Sequence, residues 1–216
     1  AMIEKQAGFS ELDSFMKQTT ASRQSTKVTL ICAAQKGMTR TLYHRALAAS
    51  RQTLYTTGFI EGPYPSSTCI INANSYGTAI LFSAGAGITH HMLTVRSLLN
   101  LAYEGRAATQ QIYLIWSVRN TDHLCWVQDF MNEILRLPNR REILVVKLFI
   151  SKPKSSREIA SPSSTVQMFA GRCKPGVVLE EVLPNRVGAT MVSVCGPGAF
   201  ADEVRSATRE RIGRGM

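Results

Sequence analysis

The 216-residue sequence contains no long apolar run. Its longest apolar stretches, such as residues 143–150, have the length of a β-strand, whereas a bilayer-spanning helix needs about 20 apolar residues. The first residues, AMIEK, lack the apolar segment of a signal peptide, and an alanine stands before the first methionine. We therefore expect a soluble piece of a longer protein.

Cysteine and histidine pairs with the spacing of metal ligands are also missing. The five cysteines are odd in number, scattered and never spaced C-x-x-C, which predicts neither a disulfide framework nor a zinc site. His90 and His91 are adjacent but have no further His or Cys at a suitable spacing. We predict that these two histidines lie at a helix N-terminus near a bound phosphate, and that the chain has no metal site.

Acidic residues are scarce relative to basic ones, with 15 Asp and Glu against 25 Lys and Arg and a formal net charge of +10. This excess fits a solvated basic surface, or an anionic partner such as nucleotide phosphates, nucleic acid or an anionic membrane surface. The charge alone does not distinguish these possibilities. The basic residues are spread along the chain and are dense only at residues 136–141 and 205–214, which argues against a nucleic-acid-binding module.

From about residue 60 onward, short apolar strands alternate with amphipathic helices. This alternation predicts an α/β fold with a doubly wound, mostly parallel sheet and helices on both faces. Asp122 is predicted to cap the second of these helices. The predicted strands are residues 78–83, 111–118, 142–150, 166–169 and 189–194, and the predicted helices are residues 89–103, 123–137, 176–183 and 199–211.

The N-terminal quarter has a different pattern. Residues 28–34 are rich in β-branched side chains and predict a strand, and Thr39 is predicted to cap a helix that runs to Ser50. We therefore expect residues 1–57 to be separate from an α/β domain over residues 58–216.

In a doubly wound sheet, ligands bind outside the carboxyl ends of the strands, so the residues after each strand are the candidates. The first predicted strand is followed by the turn Gly85-Ala86-Gly87-Ile88-Thr89, whose glycines and helix start suit a phosphate. The alternative is a purely structural turn. The last strand ends at Cys195-Gly196-Pro197, where a flat nicotinamide ring could pack; the alternative is a buried cysteine before an ordinary turn.

Basic residues follow two other strands. Arg119 comes after the second predicted strand and could form paired hydrogen bonds with a 2′-phosphate, or it could be a surface residue paired with Asp122. Arg172 follows the 166–169 segment. It could bind the same phosphate as Arg119, or it could belong to a solvated turn.

Four motifs in this order resemble the C-terminal half of fungal ferric reductases, relatives of the NADPH oxidases in the ferredoxin–NADP reductase superfamily. The similarity extends over roughly residues 58–207. The motifs are Glu61-Gly62-Pro63-Tyr64, Gly85-Ala86-Gly87-Ile88-Thr89, Trp116-x-x-Arg119 and Val194-Cys195-Gly196-Pro197-Gly198.

The resemblance implies a role for each motif. Gly62, Pro63 and Tyr64 would form the turn at the flavin–nicotinamide junction, and residues 85–89 would line the pyrophosphate and the nicotinamide ribose. Trp116 would lie at the cofactor, Arg119 and Arg172 would contact the 2′-phosphate of NADPH, and Cys195, followed by Gly196 and Pro197, would lie beside the nicotinamide. Cys195 and Thr89 would act at the reacting centre.

The family further implies FAD, haem in membrane helices of the same polypeptide, and ferric-chelate reduction from the cytoplasmic side of a membrane, most simply the plasma membrane. Residues 28–40 resemble the end of the FAD-binding barrel, but the upstream flavin motif, the haem-binding helices and the C-terminal aromatic residue of the family are absent from the sequence. The piece is therefore expected to be inactive alone.

Three other functions stay open. An NADPH oxidase that produces superoxide shares the same motifs, and the sequence does not choose among ferric chelate, cupric ion and oxygen as the final electron acceptor. An S-adenosylmethionine-dependent methyltransferase also uses a Gly-x-Gly turn but predicts an acidic residue where Arg119 stands. A basic membrane-surface or nucleic-acid module is the third.

Overall fold

The computed structural model describes residues 30–49, 54–59, 61 and 72–212. The chain divides into two units, Ala1–Tyr64 and Pro65–Met216. In the first unit, helix α1 spans Met38–Ala48 and follows Gly37, whose φ of 93° favours glycine. Thr39 lies inside this helix, and its hydroxyl group bonds to the backbone of Gln35, so the predicted cap at Thr39 is wrong.

The strand predicted over residues 28–34 is also wrong where it can be checked. Residues 30–35 form no regular secondary structure and are mostly exposed; residues 28 and 29 lie outside the described part of the chain. A β-branched composition favours a strand only where a neighbouring strand supplies hydrogen bonds, and none of the described residues pairs with this segment.

The second unit is built on a five-stranded, fully parallel sheet. Apolar runs of strand length form it, and the central strand is buried on both faces, as parallel sheets require. Its strand order is β4-β3-β2-β1-β5. The strands are β1 (Thr78–Ala84), β2 (Gln111–Val118), β3 (Leu144–Ile150), β4 (Val166–Ala170) and β5 (Thr190–Cys195).

Helices cover both faces of this sheet, which confirms the predicted doubly wound α/β fold. One face packs against α5 and α6 through Phe82, Ile115, Leu179 and Val204. The opposite face packs against α2 and α3. The helices are α2 (Ile88–Tyr103), α3 (Gln128–Arg136), the short α4 (Arg140–Ile143), α5 (Pro175–Val182) and α6 (Gly198–Ile212).

The predicted bounds agree with these elements to within two residues except for the helix after β2. Residues Thr121–Val127 form a 3₁₀ helix, and α3 begins only at Gln128. Asp122 does not cap this segment, because its carboxylate is paired with Lys154 Nζ, 2.7 Å away. The prediction that Asp122 caps a helix is therefore wrong. Its carboxylate pairs with a charged ammonium group, which is a stronger partner than a backbone N–H.

Candidate functional site

The strand order reverses at β1. From β1 the chain adds β2, β3 and β4 on one side and then crosses back to place β5 on the other. Since β1 and β5 are parallel and in register from Thr78↔Thr190 to Ser83↔Cys195, their carboxyl ends meet at one edge. At such a reversal the two following chain segments lead to helices on opposite faces of the sheet, and the crevice outside the strand ends is the general ligand site of the architecture.

Two backbone segments touch at this crevice. A Cβ added to Gly87 would overlap the carbonyl group of Cys195, lying 2.7 Å from its carbon and 3.2 Å from its Sγ. A Cβ added to Gly196 would lie 2.9 Å from the Cβ of Ala84. The turn after β1 and the turn after β5 are therefore held in contact by glycines that leave no space for a side chain.

The turn after β1 is open on its other side. Gly85 has φ 55°, and nothing lies within 4 Å of where its Cβ would be. Its carbonyl oxygen accepts a hydrogen bond from the indole N–H of Trp116 at 2.9 Å, which fixes the turn against β2. The 16-residue helix α2 begins at once, so its positive dipole end points to this opening.

A buried histidine lies directly beneath the turn. His91 Nδ1 is 2.7 Å from Ser83 Oγ on β1, and His91 Nε2 is 2.9 Å from Ser193 Oγ on β5. Burial lowers the pKa of His91 to about 4, and repulsion from His90 adds to this, so the ring is neutral near pH 7. A neutral imidazole has one donor and one acceptor, and the two hydroxyl groups can satisfy both.

The tips of β2, β3 and β4 carry basic side chains at the same edge. Arg119, Lys152 and Arg172 follow these strands in that order, and all three are exposed. The backbone N–H of Lys152 donates to the carbonyl oxygen of Arg119 at 2.8 Å, which holds the first two tips side by side. Among the described residues, none forms an ion pair with any of these three cations.

The carboxylate that was the expected partner of Arg119 is engaged elsewhere. Asp122 pairs with Lys154, and Glu158 accepts hydrogen bonds from the Thr121 hydroxyl group and the Lys154 backbone N–H. The alternative in which Arg119 pairs with Asp122 is therefore wrong. The two acidic residues of the loops after β2 and β3 thus have partners other than Arg119 and Lys152, which leaves these two cations available to an external anion.

Comparison with known proteins identifies this arrangement. A family model described as "Ferric reductase NAD binding domain" matches residues 76–209, which is more than half of the chain. The chain belongs to this family. The ferric reductase NAD-binding domain is a nicotinamide-dinucleotide-binding domain of an oxidoreductase, as the resemblance implied.

Two individual proteins are similar to this domain. The chain is 28% identical over 144 residues to "Ferric reduction oxidase 3, mitochondrial" of Arabidopsis thaliana, and the match covers 64% of the chain and 19% of that protein. The chain therefore spans about a fifth of the curated relative that it matches. A solved structure of the CS-b5R domains of human Ncb5or, in its NAD⁺ form, aligns with a TM-score of 0.46 and 18% identity, covering 69% of this chain and 37% of that one.

The structure brings together most of the predicted site residues of the NAD-binding domain. Gly87 lies against Cys195 at the crevice and Gly196 lies against Ala84, with Gly85 and Ala86 in the turn between Ala84 and Gly87 and with Pro197 exposed. Arg119 and Arg172 lie at the same edge of the sheet, on strands separated by β3. Gly62, Pro63 and Tyr64 lie outside the described residues.

Three predicted residues have surroundings that limit what they can do. The side chains of Ile88 and Trp116 are buried in the core, so Ile88 offers only its backbone and Trp116 acts through its bond to Gly85. The Thr89 hydroxyl group donates to the carbonyl oxygen of Ala86 at 3.0 Å and so closes the turn.

Two residues at this edge were missed from the sequence. His91 was predicted beside a bound phosphate, but it is buried and bonded to two strands; its helical spacing from Val95 and Leu98 on the core face was the available signal. Lys152 follows an apolar strand, as Arg119 does, and the same strand-tip reasoning would have found it.

In the described part of the chain, no helix combines the length and the apolar character needed to cross a membrane. Over the same residues, no group of three or more His, Cys, Asp or Glu side chains is close enough to hold a metal ion.

Proposed function

We infer that this domain binds NADPH and orients it for hydride transfer to FAD in a membrane ferric-chelate reductase. One observation carries the proposal: the Gly-x-Gly turn and the Cys195-Gly196 turn touch at the point where the strand order reverses. A glycine turn before a helix N-terminus suits a pyrophosphate, and a small side chain on the facing strand leaves room for a flat ring.

The pyrophosphate is assigned to the turn after β1. Gly85 leaves space for close approach, and the positive dipole end at the start of α2 favours the negative charge of a phosphate. The nicotinamide is assigned to the half-buried Cys195, whose Sγ faces Gly87. Cys195 and Thr89 are proposed to act at the reacting centre, Cys195 by packing on the ring and Thr89 by holding the turn closed.

The 2′-phosphate is assigned to the basic tips of β2, β3 and β4. Arg119 and Arg172 are exposed there, and Lys152 lies beside Arg119. A guanidinium group matches phosphate geometry with two parallel hydrogen bonds, whereas NADH would leave these cations without a partner. The arrangement thus supports NADPH as the preferred cofactor.

Bound NADPH supplies a hydride, which FAD would accept and pass on as single electrons through haem to ferric iron. We propose that FAD and haem are held by other parts of the same polypeptide. Residues 1–57 would include the end of the FAD-binding barrel, and residues 58–216 would form the NADPH domain. The domain would work at the cytoplasmic face of a membrane. Gly62, Pro63 and Tyr64 would form its flavin-side turn. Without those partners the chain is expected to bind NADPH but not to reduce iron.

The two competing enzyme functions differ in how well they fit the residues of this site. An oxidase would share the whole site and differ only in the final electron acceptor. A methyltransferase needs an acid at the tip of β2 for the ribose hydroxyl groups, but Arg119 stands there and the nearby Asp122 is paired with Lys154.

Calorimetric titration of the chain with NADPH, NADH and S-adenosylmethionine, with and without FAD, tests the proposal. We expect NADPH to bind at least about tenfold more tightly than NADH, the size of one charge-assisted hydrogen bond. Equal affinity for the two dinucleotides would remove the 2′-phosphate assignment. Binding of S-adenosylmethionine alone would overturn the proposed function, and tight FAD binding by the chain would contradict the assignment of FAD to other parts.

A further inference from the structure

Beneath the crevice, side chains from three elements form one closed polar group, the His91 network. It consists of Ser83 on β1, His91 on α2 and Ser193 on β5, joined by contacts of 2.7 and 2.9 Å. The two serines lie on adjacent strands of the sheet, and the imidazole ring bridges them from the helix above.

This network lies within the apolar core of the domain. Ser83 is fully buried and His91 is 1% exposed, among neighbours such as Leu81 and Met92 that form the core. Buried polar groups lower stability unless all their hydrogen bonds are made. Because the ring is neutral, it accepts from one serine and donates to the other, so both ring nitrogens have a partner.

The network is attached to both walls of the crevice. His91 lies in the first turn of α2, directly after the Gly-x-Gly turn, so its ring fixes the start of the helix that follows Gly87. Ser193 precedes Cys195 by two residues on the same face of β5, and Ser83 is the register partner of Cys195 on β1.

We propose that His91 is a positioning residue for the nicotinamide: through Ser83 and Ser193 it sets the separation between the Gly87 turn and Cys195. The role rests on the proposed function, because it concerns the nicotinamide half of that same site. Among the described residues, no hydrogen bond joins the network to the 2′-phosphate half at the tips of β2, β3 and β4.

The positioning role predicts different effects on ligands that occupy different halves of the site. Loss of the network should weaken ligands that place a ring against Cys195 and spare ligands that occupy only the basic tips. NADP⁺ is a ligand of the first kind. Adenosine 2′-monophosphate is one of the second kind, because it carries the adenosine and the 2′-phosphate but neither the pyrophosphate nor the nicotinamide.

The test is calorimetric titration of the chain with both ligands, for the wild type and four variants. His91→Phe removes the network, His91→Gln keeps one donor and one acceptor, and Ser193→Ala cuts only the link to β5. Thr94→Ala is the matched control, since Thr94 is a buried hydroxyl residue of α2 whose bond goes to the backbone of His90 in the same helix.

We expect His91→Phe to weaken NADP⁺ binding by about tenfold, as for the loss of a buried hydrogen bond, and to leave the binding of adenosine 2′-monophosphate unchanged. Ser193→Ala should weaken NADP⁺ about fivefold, His91→Gln should restore part of the loss, and Thr94→Ala should match the wild type.

Equal effects on both ligands, or none on either, would overturn the positioning role. If His91→Phe does not fold, Ser193→Ala decides by the same criterion. A wild-type chain that binds neither ligand would instead refute the proposed function, and this is seen before any variant is made.

Discussion

The crevice between β1 and β5 and the basic edge at β2, β3 and β4 are built in opposite ways. At the crevice, glycine backbones touch and a neutral, buried histidine joins three elements. At the basic edge, Arg119, Lys152 and Arg172 are exposed side chains on loops. The stability of a packed region changes sharply with the loss or gain of one methyl group. Separate exposed charges each contribute individually to binding, and salt screens them. The first suits orientation of a ring and the second suits selection of a phosphate.

The largest effect is expected at the glycine contact. Gly87→Ala places a methyl group against the Cys195 carbonyl, where backbone atoms on both sides prevent simple relief. We expect a loss of about 3 kcal/mol in the free energy of unfolding, the upper end for overpacking a core, measured by urea denaturation. Gly198→Ala is the control, because nothing lies within 4 Å of its added Cβ. Similar stability of both variants would show that the two turns are not in contact.

The second effect comes from the buried histidine. The pKa of His91 is lowered by burial, and further by His90, from 6.5 to about 4. As the pH falls from about 6.5 to about 4, His91 becomes protonated in the unfolded chain but stays neutral in the folded chain. The free energy of unfolding therefore decreases on acidification and keeps its full value above pH 6.5. The full contribution is about 3 kcal/mol at most.

Urea denaturation between pH 7.5 and pH 4.5 measures this loss. His91→Gln has no titrating group at this position, so its stability should depend less on pH than that of the wild type over the same window. Parallel pH profiles for the two proteins would show that His91 is accessible to protons in the folded state.

The basic edge should respond through affinity and not through stability. Arg119→Ala removes an exposed guanidinium group with no partner among the described residues, so the fold should keep its free energy of unfolding. NADPH binding should weaken by about 2 kcal/mol, the cost of a lost charge-assisted hydrogen bond, while NADH binding stays unchanged. Arg119→Lys should fall between, since it keeps the charge but not the paired geometry. Equal weakening of NADH in calorimetry would place Arg119 away from the 2′-phosphate.

The two regions also differ in how far the sequence reveals them. Apolar strand-sized runs and the residues after them were enough to predict the sheet, the Gly85–Gly87 turn and Arg119. The bond between His91 and Ser193 was not, because it joins residues more than 100 positions apart, and local patterns do not specify which strands become neighbours. Asp122 failed as a cap for the same reason: Lys154, 32 residues later, competes for it.

The smallest effect is expected at Lys152, which shares the basic edge with Arg119 but has a single flexible ammonium group. Lys152→Ala should weaken NADPH binding about threefold, in the range of an exposed ion pair, and the difference from the wild type should shrink as salt is raised. Arg106→Ala makes the same change in net charge before β2, at the opposite edge of the sheet, where Arg106 pairs with Glu104. If both variants weaken NADPH binding equally, the cations act through net charge. If only Lys152→Ala weakens it, the 2′-phosphate lies at the tips of β2 and β3.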